Sequence, residues 1–144
     1  MVELKARVNN LIEQRKKLRA RFSREITLEP MDISITPIDE KFLKRAIEIV
    51  ETHINEEKFD LSEFRNEMNM SRSTLFRKLQ ALTGQSPTEF IRTIRLKRAA
   101  SLLKQNFGNV TQVSLEVGFN NLSYFNRTFK KLFGVSPVEY TKNK

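Results

Sequence analysis

The octet "TGQSPTEF" at residues 83–90 returns at residues 133–140 as "FGVSPVEY", in a chain that holds only 4 glycines and 4 prolines. Each copy carries the chemistry of one helix ending and another beginning. Gly84 and Gly134 suit the left-handed position that closes a helix. Ser86-Pro87-x-Glu89 and Ser136-Pro137-x-Glu139 then supply serine at the N-cap, proline at the first helical position and an acid at the third, able to complete a capping box. The octet predicts a seam between two helices, and the chain contains it twice.

Reading upstream from the first octet, Ser71 predicts the N-cap of a helix over 72–82. Its apolar face is Leu75, Leu79 and Leu82, and its outer face offers Arg72, Ser73, Phe76, Arg77 and Lys78. A short helix over 60–68 precedes it, so the order is short helix, tight turn, basic helix, the helix-turn-helix pattern. Upstream of the second octet, Asn109-Val110-Thr111-Gln112 reads as another capping box, opening a short helix that reaches Val117 and is closed by Gly118. A helix over 121–133 follows, with a wet face of Leu122, Ser123, Asn126, Arg127 and Lys130. At an offset of fifty, Ser73, Arg77, Leu82 and Gly84 meet Ser123, Arg127, Leu132 and Gly134. Upstream of the turn the register shifts by one, so that 68–70 meets 117–119. The octet is the exit from a basic helix, and the chain has two such helices.

Between the copies, the Ser86 cap opens the longest predicted helix, to about Phe107, apolar at Phe90, Ile91, Ile94, Leu96, Ala99, Ala100, Leu102 and Leu103. Arg92, Arg95, Lys97 and Arg98 lie along it; against phosphate contact stand an ion pair to the acidic first helix for Arg95 or Arg98 and a solvated face for the others. Ahead of the repeat, a helix opening at Asp39 and running to about Asn55 places Phe42, Leu43, Ala46, Ile47, Val50 and Ile54 on one face. Residues 27–39 carry two prolines and no helical period, which reads as a linker. Residues 3–25 set Leu4, Val8, Leu11, Leu18 and Phe22, with Arg15 on the same seam, at alternating four- and three-residue steps, an amphipathic helix with coiled-coil spacing. The expected architecture is all-α: a connector helix (1–26), an irregular linker (27–37) and a domain over 38–144. That domain divides into a first helix-turn-helix unit (38–85), a linker helix (86–107) and a second helix-turn-helix unit (108–144).

The 144 residues carry a formal charge of +9, unevenly placed. Lys and Arg against Asp and Glu number 8 to 4 over 1–29, 5 to 10 over 30–70, 8 to 1 over 71–105 and 5 to 2 over 106–144. The basicity beside the repeat is the footprint a polyanion requires. No apolar run approaches a membrane span, and no secretory signal is present. The absence of cysteine removes disulfides, thiolate metal sites and cysteine nucleophiles, and suits the cytoplasm. His53 is the single histidine and has no companions in the sequence pattern for a metal or a general base, so it reads as surface helix. No enzymatic activity and no cofactor are expected.

With these residues in place, the segment "VGFNNLSYFNRTFKKLFGVSPVEY" (117–140) resembles the most recognisable stretch of the DNA-binding domain of AraC-family bacterial transcription regulators, and the likeness spans about 38–142. It implies two helix-turn-helix units joined by a long helix, each inserting one helix into the DNA major groove. Carried over by position, the groove-facing sites fall on Arg72, Ser73, Phe76 and Arg77, and on Asn121, Leu122, Ser123, Asn126 and Arg127. Arg65 stands where that family usually has alanine, and Asn69 where a turn glycine is common, which implies a looser first unit. Ser114 and the Gly118-Phe119 pair follow the family pattern. The stretch 10–18 is similar to the connector of hybrid two-component regulators, implying that this chain is the C-terminal output piece of a larger membrane-anchored sensor with this part on the cytoplasmic side. Repair methyltransferases that carry an AraC-like module need a zinc-bound cysteine, which this chain lacks.

Arg77 and Arg127 suit guanine O6 and N7, with phosphate contact as the alternative; Ser73, Ser123 and Asn126 suit base edges or phosphates. Phe76 either touches a thymine methyl or packs sideways on its own unit. The expected partners are double-stranded DNA, RNA polymerase and a second copy joined through the N-terminal helix or upstream domains, with no membrane contact by this segment. A helical protein-interaction module with a coiled-coil arm is the rival reading, and it predicts no salt-dependent DNA affinity.

Overall fold

The computed structural model describes residues 36–142. The expected connector helix over 1–26 and nearly all of the expected linker lie outside the described residues. Those described form seven helices and no strand: α1 (Pro37–Thr52), α2 (Leu61–Met68), α3 (Arg72–Thr83), α4 (Pro87–Lys104), α5 (Val110–Glu116), α6 (Leu122–Phe133) and α7 (Pro137–Lys142).

Every helix start has a side-chain cap. Thr36, Asp60, Ser71, Ser86, Asn109 and Asn121 each accept a hydrogen bond from the backbone N–H three residues on, and Ser136 Oγ accepts from Glu139 N at 3.2 Å. Such a cap contributes about 1 kcal/mol. Of the three expected capping boxes, Ser86 with Glu89 and Asn109 with Gln112 close in both directions, while at the third Ser136 accepts from Glu139 N. The first helix corrects the expectation: it begins at Pro37, because Thr36-Pro37-x-Asp39 repeats the cap, proline and acid of the octets, so 36–37 belong to the helix start and not to a linker. It ends at Thr52, and α4 ends at Lys104 rather than near Phe107, since Asn106 turns to a positive φ of 57°.

The repeat is visible in the caps. Asp60 and Asn109 are 49 apart, whereas Ser71 and Asn121, and Gly84 and Gly134, are 50 apart. The one-residue shift lies in the turn. Asn69 closes α2 in the left-handed conformation (φ 55°, ψ 45°), a state asparagine tolerates, so the substitution that implied a looser first unit is accommodated as an ordinary helix cap.

Two apolar clusters divide along α4. The first joins Phe42, Leu43, Ala46 and Val50 of α1, Phe64 and Met68 of α2, Leu75, Leu79 and Leu82 of α3, and Phe90, Ile91 and Ile94 of α4, with Phe59 inserted from the loop before α2. The second joins Leu96, Ala99, Ala100, Leu102 and Leu103 of α4 to Val113, Val117, Phe125 and Phe129. The changeover falls between Ile94 and Leu96. A helix that serves one core with its first half and another with its second is apolar on more than one face. This corrects the reading of its cations: Arg95 and Lys97 are 7% and 4% exposed and belong to no wet face.

Candidate nucleic-acid interface

Helices α3 and α6 are positioned alike, each capped at its start, buried through one apolar face and closed by a left-handed glycine, with φ 76° at Gly84 and 82° at Gly134. Leu75, Leu79 and Leu82 anchor α3, and Phe125 and Phe129 anchor α6. The opposite faces are free of acids along both helices, RSTLFRKLQALT and LSYFNRTFKKLF.

On α3, Arg72, Ser73 and Arg77 are exposed. Phe76 is 49% exposed and lies outside the first core cluster, which favours the outward alternative over sideways packing. Arg72 Nη2 donates to Ser62 Oγ at 3.2 Å, tying the first turn of α3 to α2. Lys78 is half-buried and holds its ammonium 5.3 Å from the centre of the Phe42 ring, so it leans back on its own unit. On α6, Ser123, Arg127 and Lys130 are exposed, Leu122 is 41% exposed and Asn126 is half-buried. The side chain of Asn121 is engaged as the cap, its Oδ1 accepting from Tyr124 N at 2.9 Å, which leaves its amide N–H groups for a ligand.

The register aligns Arg72 with Leu122, Ser73 with Ser123, Phe76 with Asn126 and Arg77 with Arg127. Two of these four pairs match and two differ in chemistry. Guanidinium, asparagine amide and apolar groups differ in hydrogen-bonding chemistry, so the two faces are chemically unlike at these two positions.

Tyr124 was not singled out by the sequence, although it sits between two cations. Its hydroxyl accepts from Arg92 Nη1 at 3.1 Å, and the Arg127 guanidinium lies 5.8 Å from its ring centre. Arg92 is thereby held against α6 instead of lining a solvated face. His53, read as surface helix, is instead the C-cap of α1, stacked on Phe59 with ring centres 4.5 Å apart. Its Nδ1 meets Glu56 and its Nε2 lies 2.6 Å from Glu67 Oε2. Burial alone would lower its pKa, but hydrogen bonding to Glu56 and the charges of Glu67 and Glu56 outweigh that and raise it above 6.5. No group of acids and histidines able to hold a metal occurs among the described residues, and none of their helices is long and apolar enough to cross a membrane.

A family model described as a helix-turn-helix domain matches residues 65–143. A protein named histidine kinase P4 from Formosa agariphila is 44% identical over 138 residues, 96% of this chain but 10% of that protein. The HTH-type transcriptional regulator MtrA of Neisseria gonorrhoeae is 42% identical over 74 residues, 51% of this chain and 25% of its own length. This chain therefore spans a small part of either relative. Among solved structures, an AraC-type regulator from Chromobacterium violaceum superposes with a TM-score of 0.68 at 25% identity, covering 75% of this chain and 96% of that one. The C-terminal domain of AraT, a response regulator from Geobacillus stearothermophilus, gives 0.64 at 27% identity, covering 76% and 87%.

Proposed function

Because the chain belongs to the AraC-type helix-turn-helix family of DNA-binding transcription regulators, we propose that it reads an asymmetric site of two short elements on one face of the duplex, α3 taking one and α6 the other. The observation that carries this reading is the pair of acid-free, outward-facing helices in matching register at the two ends of one continuous helix. At 18 residues α4 is about 27 Å long, within reach of the ~34 Å that separates successive major-groove openings. Arg72, Ser73, Phe76 and Arg77 read the first element, and Leu122, Ser123, Asn126 and Arg127 the second. Asn121 and Lys130 assist at the backbone or groove edge, and Lys78 joins them by swinging its ammonium away from the Phe42 ring.

The likeness to the C-terminal domain of a response regulator and to a protein named as a histidine kinase supports a place at the output end of a hybrid two-component sensor. In that setting the domain recruits RNA polymerase from the cytoplasmic side of a membrane-anchored parent, and a second copy joins through the N-terminal segment or upstream domains.

Sites selected from random duplexes test the reading. Selected sites should contain two unlike elements centred about 10 bp apart, and inserting about 5 bp between them should turn the second element to the far face. Affinity then falls toward that of one unit. An unchanged affinity and footprint after the half-turn insertion would mean that a single helix-turn-helix engages DNA.

A further inference from the structure

Each half of the domain is anchored to its own half of α4, and the side chain at the changeover is Arg95. It lies between Ile94, the last member of the first apolar cluster on α4, and Leu96, the first member of the second. Its guanidinium is buried and forked between the two halves: Nη2 donates to Glu56 O at 2.6 Å, in the loop between α1 and α2, and Nη1 donates to Gly118 O at 2.7 Å, in the turn that aims α6. Gly118 is shaped to receive it. With φ at 89°, an added Cβ would lie 2.5 Å from Arg95 Nη1 and 2.8 Å from Ile54 O.

Apart from this fork, the seam between the halves is thin. Ile54 touches both clusters, Asn120 Nδ2 donates to Glu57 Oε1 at 2.6 Å on the exposed rim, and Arg92 reaches Tyr124. Beside Arg95 the halves are separated by a crevice of about 210 Å³, with Phe59 and Ile91 on one side and Phe119 and Tyr124 on the other. An exposed hydrogen bond, one isoleucine and the single part-buried bond from Arg92 to Tyr124 constrain a relative rotation less than a buried charge forked between two carbonyls does.

We propose that Arg95 is the positioning residue that sets the distance and twist between the two recognition helices, and so makes the protein selective for the spacing of the two DNA elements as well as for their sequence. Arg95 touches no base; it acts by fixing where α6 stands relative to α3. The proposal rests on the two-element reading above. Each added base pair rotates one element by about 34–36° relative to the other and moves it by about 3.4 Å. A rigid reader penalises such a shift, and a hinged one follows it.

The test uses the whole chain with Arg95→Lys, which keeps charge and length but loses the planar fork, and with Arg95→Gln should the lysine variant not fold. Because the chain is free of cysteine, Lys41→Cys and Lys131→Cys, both at exposed positions, accept spin labels cleanly without DNA present. Wild type should give a narrow interlabel distance distribution and should lose at least about tenfold in affinity when 2 bp are inserted between the elements, the scale of one lost base contact. The Arg95 variants should broaden the distribution and shrink that penalty to under about threefold, with affinity for a single element unchanged. Asn120→Ala, which removes only the rim bond, should keep the narrow distribution and the penalty. An unchanged width and penalty in the Arg95 variants overturns the assignment, as does a collapse of both in Asn120→Ala. A narrow wild-type distribution without any spacing penalty would instead refute the two-element reading and leave the clamp standing.

Discussion

Gly118 and Gly134 have nearly the same left-handed backbone, φ 89° and 82°, yet very different surroundings. Placing alanine at each therefore separates backbone strain from steric displacement. Left-handed backbone costs a residue with a Cβ about 1–2 kcal/mol, and the stiffer unfolded chain returns about 0.4–1 kcal/mol. For Gly134→Ala nothing lies within 4 Å of the new methyl, so the net loss should be about 1 kcal/mol. For Gly118→Ala the methyl meets Arg95 Nη1 at 2.5 Å, and the guanidinium must leave its bond to Gly118 O. A hydrogen bond to a charged group contributes about 1.5–3 kcal/mol, bringing the total to about 2.5–4 kcal/mol. In thermal denaturation each kcal/mol moves the midpoint of a domain near this size by about 4–8 °C, so Gly134→Ala should fall by one such step and Gly118→Ala by about three. In an Arg95→Met background, where no guanidinium remains to be displaced, the excess should shrink to the share owed to the backbone oxygen of Ile54, 2.8 Å from the new methyl. Equal losses for the two alanines in the wild-type background would refute the argument that Gly118 is needed for the space Arg95 occupies.

Arg77→Ala and Arg127→Ala should each relax preference at one base position while the melting temperature stays within a degree or two, roughly the effect of a surface substitution; equal losses on selected and random DNA would identify phosphate contacts. His53 faces Glu56 and Glu67 through both ring nitrogens, a pattern that only the imidazolium satisfies. Its raised pKa means that this stabilisation is complete below pH 6.5, the unfolded value, and disappears as pH rises through the higher folded value. Urea titrations of wild type and His53→Gln should therefore differ in slope against pH across that window and run parallel above it. A chain starting at Ile38 should be less stable than one starting at Ile35 by about 1 kcal/mol, because it lacks the Thr36 cap. If the seam of Leu4, Val8, Leu11, Leu18 and Phe22 joins two copies, the chain starting at Ile35 should also sediment as a smaller species than the full chain; identical sedimentation removes that role.

The repeat was legible because caps are local chemistry: Ser71, Ser86, Asn109 and Asn121 do in the fold what their neighbours in sequence require. The buried faces of α3 and α4 were legible for the same reason of periodicity. Thr36-Pro37-x-Asp39 carries an equally local signal, but it sits at the end of a proline-containing stretch without an apolar period, which masks the helix start in the sequence pattern. The burial of Arg95 and Lys97 was illegible in principle from a helical wheel, which assumes a single buried face, whereas α4 meets one core with its first half and another with its second. Phe59 is 4% exposed although it belongs to no helix, and only the tertiary stacking of His53, Phe59 and Phe64 explains it. At the candidate interface, exposure of Arg77 and Arg127 follows from their place on each wheel, but the commitment of Asn121 to capping and of Arg92 to Tyr124 depends on geometry across the turn.

On the two-element reading proposed above, the unlike side chains at matching positions, Arg72 against Leu122 and Phe76 against Asn126, give the protein an arrow. Turn the duplex end for end and α3 meets the element that suits α6, with mismatches of about 1–3 kcal/mol at each wrongly paired base. Two identical readers related by a two-fold axis would accept either heading equally. These two select one, so a single bound chain has a front and a back along the DNA. In such a complex α1, which packs with α3 in the first half of the domain, would always lie toward the same end of the site. A regulator built on this domain can then tell upstream from downstream without a second protein to orient it.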